Sequence, residues 1–138
     1  MKFAKIVFTI AGIWGVAVLV PFFWLVDLAR RQSAPPMEYP QFVYGFLSVA
    51  LVWQIAFLVI GSDPIRFRPL MIPAAIEKLG YILTVAVLNS RGRISSTDTA
   101  GMLPDLLLGI LFIVALLKTP TFFVRRKREL ETEVAARD

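Results

Sequence analysis

An all-α integral membrane four-helix bundle is the fold class that this sequence predicts, and two observations predict it. Hydrophobic residues make up 57% of the 138-residue chain and charged residues only 18%, with a mean hydropathy of +0.71, which is too apolar for an ordinary soluble domain. The hydrophobic residues also fall into four long runs, separated by polar segments that contain proline, glycine or serine. Because a helix needs about 20 apolar residues to cross a ~30 Å hydrocarbon core, these runs indicate a four-span transmembrane domain over residues 1–124.

The first predicted span covers residues 3–26. A secretory signal peptide is the competing interpretation, because Lys2 and Lys5 precede the apolar run. However, the run is longer than the ~7–15 residues of a signal-peptide core, contains several aromatic residues, and is not followed by a good cleavage site between small residues. We therefore expect a retained span, bent near its outer end by Pro21, which removes one backbone hydrogen bond.

The second and third spans are expected at residues 42–60 and 70–88. Pro40 suits the first turn of the second span, because its missing N–H needs no partner there. Between the two spans, Asp63 and Pro64 suit the N-cap and the first position of a new helical segment. The connection is therefore expected to be a short helical piece at the membrane surface.

The fourth span is expected at residues 104–118 and has the shortest apolar core. Residues 125–138 then form a charged cytoplasmic tail, in which basic and acidic side chains recur four residues apart. Such i,i+4 pairs stabilise a helix, so the tail is predicted to be helical.

The distribution of lysine and arginine predicts which way the spans run. With four spans, the N-terminus, the loop between spans two and three, and the tail lie on one side, which carries ten basic residues: Lys2, Lys5, Arg66, Arg68, Lys118, Arg125, Arg126, Lys127, Arg128 and Arg137. The opposite side carries four: Arg30, Arg31, Arg91 and Arg93. Basic residues concentrate in cytoplasmic loops, so both termini are predicted to be cytoplasmic, in a multi-pass protein of the cell inner membrane.

The chain contains no histidine and no cysteine, which excludes several kinds of site. Haem held by histidine, zinc held by cysteine and histidine, iron–sulfur clusters and Ser-His-Asp triads all need one of these residues. We therefore expect no metal and no cofactor. The basic residues behind the net charge of +5 lie near the helix ends, where they orient the spans in the membrane. No nucleic-acid partner is therefore expected.

Three polar residues of the predicted spans fall at a similar depth on the cytoplasmic side: Thr9, Gln54 and Glu77. Counted from the span ends at 1.5 Å per residue, Gln54 and Glu77 lie about 9–10 Å deep. One interpretation is a small pocket open to a proton, an ion or a lipid headgroup. The other is a hydrogen-bond cluster that sets the helix register, and we give it more weight because such bonds are weak in membranes. Glu77 is then expected to be uncharged and bonded to Gln54, with an ion pair to Arg66 or Arg68 as the alternative.

The third span carries further candidate residues. Glu77, Tyr81 and Thr84 share one helix face, which predicts an inward-facing polar stripe and extends the candidate ligand or proton site. Lys78 is predicted to point away from Glu77, because neighbouring side chains lie ~100° apart, and to reach the cytoplasmic headgroups. In the fourth span, Asp105 is predicted to be a first-turn acid favoured by the helix dipole. Headgroup contacts are also expected from the basic residues at the cytoplasmic helix ends: Arg66, Arg68, Arg125, Arg126, Lys127 and Arg128.

The residues from Ala56 to Tyr81 read AFLVIGSDPIRFRPLMIPAAIEKLGY, and their most distinctive part is the pattern D-P-x-R-x-R-P followed by an E-K pair. This block resembles one in small bacterial four-helix inner-membrane proteins of unassigned function, described as BphX-like or DoxX-like. The resemblance covers under half of the chain. It implies a bacterial cytoplasmic-membrane protein with a four-helix bundle, and it implies no catalytic residues.

These observations favour a non-enzymatic accessory or partner-binding subunit, in contact with the lipid bilayer and with another membrane protein or a second copy of itself. The rival hypothesis is a small homodimeric transporter or proton-coupled carrier that uses Glu77. A lipid-active enzyme that uses Glu77 and Tyr81 ranks last, because without histidine its acid–base chemistry would depend on a carboxyl group.

Overall fold

The computed structural model describes residues 2–32, 39–95 and 99–121 of the chain. The main helices are α1 (Lys2–Gln32), α2 (Pro40–Ser62), α3 (Met71–Ser90) and α4 (Leu103–Lys118), and a 3-10 turn at Arg68–Leu70 leads into α3. These described residues contain no strand, so the prediction of an all-helical protein is confirmed. The predicted tail, residues 125–138, lies outside the described residues.

Three segments are long and apolar enough to cross a membrane: Lys2–Leu28, Pro40–Ser62 and Arg68–Ser90. They contain the first three predicted spans, and α1 continues beyond the first of them to Gln32. α4 has 16 residues, so it is about 24 Å long at 1.5 Å per residue. That is shorter than a ~30 Å hydrocarbon core, so α4 is the one predicted span that does not reach the length of a membrane-crossing helix.

Prolines mark where α2 and α4 begin, as the sequence predicts, whereas the predicted N-cap Asp63 is followed by turns. Pro40 occupies the first position of α2, and Pro104 lies in the first turn of α4. After α2, Asp63 Oδ1 accepts a hydrogen bond from the Arg66 N–H at 3.2 Å. Residues 64–67 form turns rather than the helical piece expected here. Asp63 thus caps a turn that redirects the chain toward α3.

The helices pack side by side in an open arc. α1 lies along α2, α3 lies along α4, and α1 also packs against α4, whereas α2 and α3 contact each other at few points. The order around the arc is therefore α2, α1, α4 and α3. Large side chains bridge the wider gap between α2 and α3, where the rings of Phe46 and Tyr81 stack with centroids 6.3 Å apart.

Glycines bring α1 and α2 into close contact. A Cβ atom on Gly12 would lie 2.9 Å from the backbone carbonyl oxygen of Gln54, and one on Gly61 would lie 3.0 Å from the backbone nitrogen of Thr9. Gly15 lies directly against the Gln54 side chain. These pairings run in opposite directions along the two helices, so α1 and α2 are antiparallel. Small residues at such contacts allow the van der Waals packing that holds helices together in membranes.

Three phenylalanines form the centre of the bundle. Phe8 of α1 stacks on Phe112 of α4 with ring centroids 4.2 Å apart, and Phe57 of α2 meets the Phe112 ring edge-on at 4.9 Å. All three side chains are fully buried. The same three helices therefore share one aromatic core, and α3 packs against it through its smaller residues, among them Ala74 and Ala75.

The outer surface of the bundle is also apolar. Trp24, Phe42 and Leu117 are 70%, 71% and 76% exposed, and every helix exposes further isoleucine, leucine, valine or phenylalanine side chains. Soluble monomers rarely expose apolar surface so continuously.

Candidate functional site

The strongest candidate site is a group of three charged residues between α3 and α4. Lys78 of α3 is only 6% exposed. Its Nζ atom lies 2.6 Å from Asp105 Oδ1 of α4 and 3.3 Å from Glu77 Oε2 of α3. Glu77, Lys78 and Asp105 are called the charge cluster below. Ionisable groups within membrane helices are expensive, so they pair with one another and commonly mark a functional site.

Gly109 of α4 lies opposite Lys78. A Cβ atom on Gly109 would lie 3.5 Å from the Lys78 Cβ, so α3 and α4 approach closely at this level. Asp105 lies one helical turn before Gly109, within reach of the lysine side chain. The Nζ atom also lies 5.4 Å from the centre of the Phe57 ring, a distance at which an aromatic face attracts a cation.

The prediction that Lys78 reaches the lipid headgroups is wrong. Its ammonium group is held inside the bundle, because the Asp105 carboxylate at 2.6 Å replaces the partners that it would otherwise seek at the membrane surface. This contact depends on the register of α3 against α4, which the sequence does not show. The only signal in the sequence was a pair of opposite charges, Lys78 and Asp105, inside two successive apolar runs.

Glu77 and Lys78 also meet, contrary to the prediction from helix geometry. Neighbouring side chains leave a helix ~100° apart, but the long lysine side chain bends back until Nζ lies 3.3 Å from Glu77 Oε2. This oxygen is buried, yet it forms no hydrogen bond. The contact is therefore an electrostatic one without hydrogen-bond alignment, and Asp105 is the better partner of the lysine.

Asp105 has the position that the sequence predicts, in the first turn of α4. A helix N-terminus favours a negative charge because its first N–H groups have no partners within the helix. The structure adds a second role, since the same carboxylate holds Lys78.

The predicted shared pocket of Thr9, Gln54 and Glu77 does not form in the described part of the chain. Gln54 is buried, as expected, but its Nε2 donates to the Ala50 carbonyl of its own helix. Thr9 lies against Gly61, also in the contact between α1 and α2. Glu77 belongs to the charge cluster instead. Thr9 therefore lies at the level of Gly61, seven residues along α2 from Gln54, so the predicted common depth of Thr9 and Gln54 is wrong as well.

The predicted polar stripe on α3 is only partly inward. Tyr81 is half-buried, and its ring stacks on Phe46 of α2. Thr84 is exposed, and its hydroxyl donates to the Gly80 carbonyl of the same helix. The buried residues of α3 are instead Met71, Ala74, Ala75, Lys78 and Val85. Glu77 and Tyr81 therefore lie at the edge of the packed interface, on the side that borders α2.

Arg68, for which the sequence predicts a headgroup contact, joins two helix ends, and the headgroup contact itself stays a prediction. Its Nε donates to the Thr119 carbonyl oxygen at 2.7 Å, and its Nη2 donates to the Leu116 carbonyl oxygen at 3.4 Å. The last carbonyl groups of a helix lack partners within the helix, and they favour a nearby cation. Arg66, by contrast, is exposed, and its headgroup contact stays a prediction. Residues 125–128 lie outside the described residues.

Replacing Arg68 with methionine should lower the free energy of unfolding by about 1.5–3 kcal/mol, the usual contribution of hydrogen bonds to a charged group. Methionine keeps an apolar side chain but leaves the Leu116 and Thr119 carbonyls without their donor. The matched control is Arg66→Met, which removes an exposed arginine of the same connection and should change stability by less than about 0.5 kcal/mol. Chemical unfolding in detergent measures both, and equal losses would contradict the joining role of Arg68.

The carboxylate and ammonium groups of the charge cluster determine which chemistry the site can perform. The charge cluster offers two carboxylates beside one ammonium, a set that can hold and exchange a proton. Within residues 2–32, 39–95 and 99–121, no three acidic, histidine or cysteine side chains come together as a metal site would require.

Comparisons with known proteins add no relative. No protein-family model, no curated protein and no solved structure matches the chain. The resemblance of residues 56–81 to BphX-like or DoxX-like proteins therefore stays an expectation. Evidence for a function comes from the charge cluster and from the outer surface of the bundle.

Proposed function

We propose that this protein is an integral protein of a bacterial inner membrane, with four membrane-spanning helices. The observation that carries the proposal is the outer surface, where every helix exposes large apolar side chains. Such a surface would promote aggregation in water, whereas lipid chains solvate it. Three helices also have the length and composition of membrane spans. The shorter α4 packs along α3, and a bilayer accommodates a short helix by thinning locally.

The proposed orientation places both chain ends in the cytoplasm, and cysteine labelling tests it. The chain contains no cysteine, so a single introduced cysteine reports without background. A cysteine at exposed Ser62, or one added after Asp138, should react with a membrane-impermeant maleimide only from the cytoplasmic side. A cysteine at exposed Tyr39 or Arg91 should react only from the other side. Cytoplasmic labelling at Arg91 would contradict the four-span topology.

Within the membrane, we propose that the protein acts as a non-enzymatic subunit that binds another membrane protein or a second copy of itself. Gly45 of α2 and Gly80 of α3 support this, because a Cβ atom on either would meet nothing within 4 Å. Glycines in membrane helices commonly lie where a neighbouring helix approaches closely. These two have no such neighbour in the described part of the chain.

Leucine at Gly45 or Gly80 tests partner binding. Neither replacement meets another atom of the chain near its Cβ, so each variant should still fold. Protein extracted from native membranes in a mild detergent should sediment as an assembly larger than one chain, and at least one replacement should shift it toward the single chain. A wild-type protein that sediments as a single chain under all these conditions would contradict the proposal.

A second candidate function is a small, homodimeric, proton-coupled carrier, and the charge cluster favours it. Ionisable residues inside a bundle are typical of proton and ion pathways. Four helices leave little room for a path within one chain, so a second copy would have to complete it. The wild-type protein in liposomes should dissipate an imposed proton gradient, and Glu77→Gln should not. Equal proton flux from both proteins would exclude the carrier.

A further inference from the structure

We propose that the charge cluster binds and releases one proton per chain, at Glu77, while Lys78 and Asp105 remain a fixed ion pair. This inference deepens the carrier hypothesis and rests on its premise that the bundle lies in a membrane. It concerns proton binding alone, so it does not require transport.

The charges of the cluster do not balance. Lys78 carries one positive charge, and two carboxylates face it at 2.6 Å and 3.3 Å. With both carboxylates ionised, the cluster would hold one net negative charge inside an apolar bundle, where an uncompensated charge is expensive. One proton on one carboxylate makes the cluster neutral. Arg68 does not supply the missing charge, because its guanidinium is bound to carbonyl groups at the end of α4.

The groups that face Glu77 from the neighbouring helices do not supply the missing positive charge either. α3 provides Lys78 and, one turn further on, the Tyr81 phenol, while α4 provides Asp105. α2 borders these residues with the rings of Phe46 and Phe57. Among the residues that the structure describes, no other charged side chain lies within ion-pair distance of the cluster. A proton from solvent is therefore the neutralising partner.

Glu77 and not Asp105 is the carboxylate that takes the proton. Asp105 has the shorter contact with Lys78 and lies at the N-terminus of α4, where the helix dipole stabilises its charge. Glu77 Oε2 has the longer contact and no hydrogen bond. The two side chains are similarly exposed, Glu77 by 22% and Asp105 by 26%, so the contacts with Lys78 and the position of Asp105 in α4 decide between them. Protonation adds one hydrogen to a Glu77 carboxylate oxygen, turns that oxygen into a donor, and changes no other bond.

Dicyclohexylcarbodiimide tests the site on the unmodified protein. This apolar reagent enters hydrocarbon and adds a protonated carboxyl group across one C=N bond, giving an O-acylisourea that rearranges to a stable N-acylurea. In phosphatidylcholine vesicles, mass spectrometry should find the adduct on Glu77 and not on Asp105, with a yield that falls as the pH rises. An unlabelled Glu77, or a label on Asp105 in its place, would overturn the proposal.

Proton counting gives an independent measurement. When the pH is stepped from about 9 to about 5, the wild-type protein should take up about one proton per chain more than Glu77→Gln. The control is Asp63→Asn, which removes an exposed carboxylate outside the charge cluster and should leave the extra proton of the wild type in place. Equal uptake by wild type and Glu77→Gln would overturn the proposal. Normal uptake without proton flux would instead exclude the carrier and leave the proton site intact.

Discussion

Replacing Lys78 with methionine is expected to lower the free energy of unfolding by about 3–5 kcal/mol, the usual loss when one partner is removed from a buried ion pair. Methionine has a similar length and is apolar, so little packing is lost. The loss arises because Asp105 and Glu77, which lie 2.6 Å and 3.3 Å from the lysine Nζ, are left without their cation. Chemical unfolding in mixed detergent micelles, followed by circular dichroism, measures the change.

Two further variants show whether the loss comes from the ion pair. Lys5→Met replaces an exposed lysine of α1, and it should change stability by less than about 0.5 kcal/mol. The double variant Lys78→Met/Asp105→Leu removes both charges. It should recover much of the loss, because replacing a whole buried ion pair by apolar residues is often neutral. A double variant as unstable as Lys78→Met alone would contradict direct pairing of Lys78 with Asp105.

Replacing Gly12 with alanine is expected to lower the free energy of unfolding by about 1–3 kcal/mol, the usual cost of over-packing a contact. The new methyl carbon would lie 2.7 Å from Leu58 side-chain carbons and 2.9 Å from the Gln54 carbonyl oxygen. The Leu58 side chain can rotate away from it. The carbonyl oxygen belongs to the backbone of α2, so the second contact is relieved only if α1 and α2 move apart.

Gly45→Ala is the control for Gly12→Ala when both variants are unfolded in a detergent that separates the proposed assembly into single chains. It makes the same substitution inside a helix, but nothing lies within 4 Å of the new methyl group. Since alanine favours a helix over glycine by about 1 kcal/mol, this variant should be as stable as the wild type or slightly more stable. The same unfolding experiment compares the two. Unfolding of Gly12→Ala and Gly45→Ala at the same denaturant concentration would contradict the close contact between α1 and α2.

The helices could be predicted because the signals for them are local. Runs of apolar residues indicate the helices, and Pro40 marks the start of α2 because its missing N–H needs no partner there. Each of these signals is contained within a few neighbouring residues. The end of α1 could not be predicted to the same accuracy, because the helix continues through the polar residues before Gln32.

The charge cluster could not be predicted because its contacts join two helices. From α3 alone, the nearest polar partners expected for Lys78 are the headgroups of the proposed membrane. The sequence does not show that α4 lies beside Lys78 at the level where Asp105 reaches it. Arg68 illustrates the same limit, since its partner Thr119 lies 51 residues away along the chain. The burial of Gln54 could be predicted, but its partner could not.

The ion pair between Lys78 and Asp105 also has a consequence for biogenesis. A lone lysine near the middle of a helix raises the free energy of membrane insertion by about 2.5–3.5 kcal/mol, and this applies to Lys78 of α3, whereas Asp105 lies in the first turn of α4. In the proposed membrane protein, α3 and α4 that leave the translocon together would pair Lys78 with Asp105 before either charge meets lipid. The second half of the chain is therefore expected to enter the bilayer as one hairpin, in a single step.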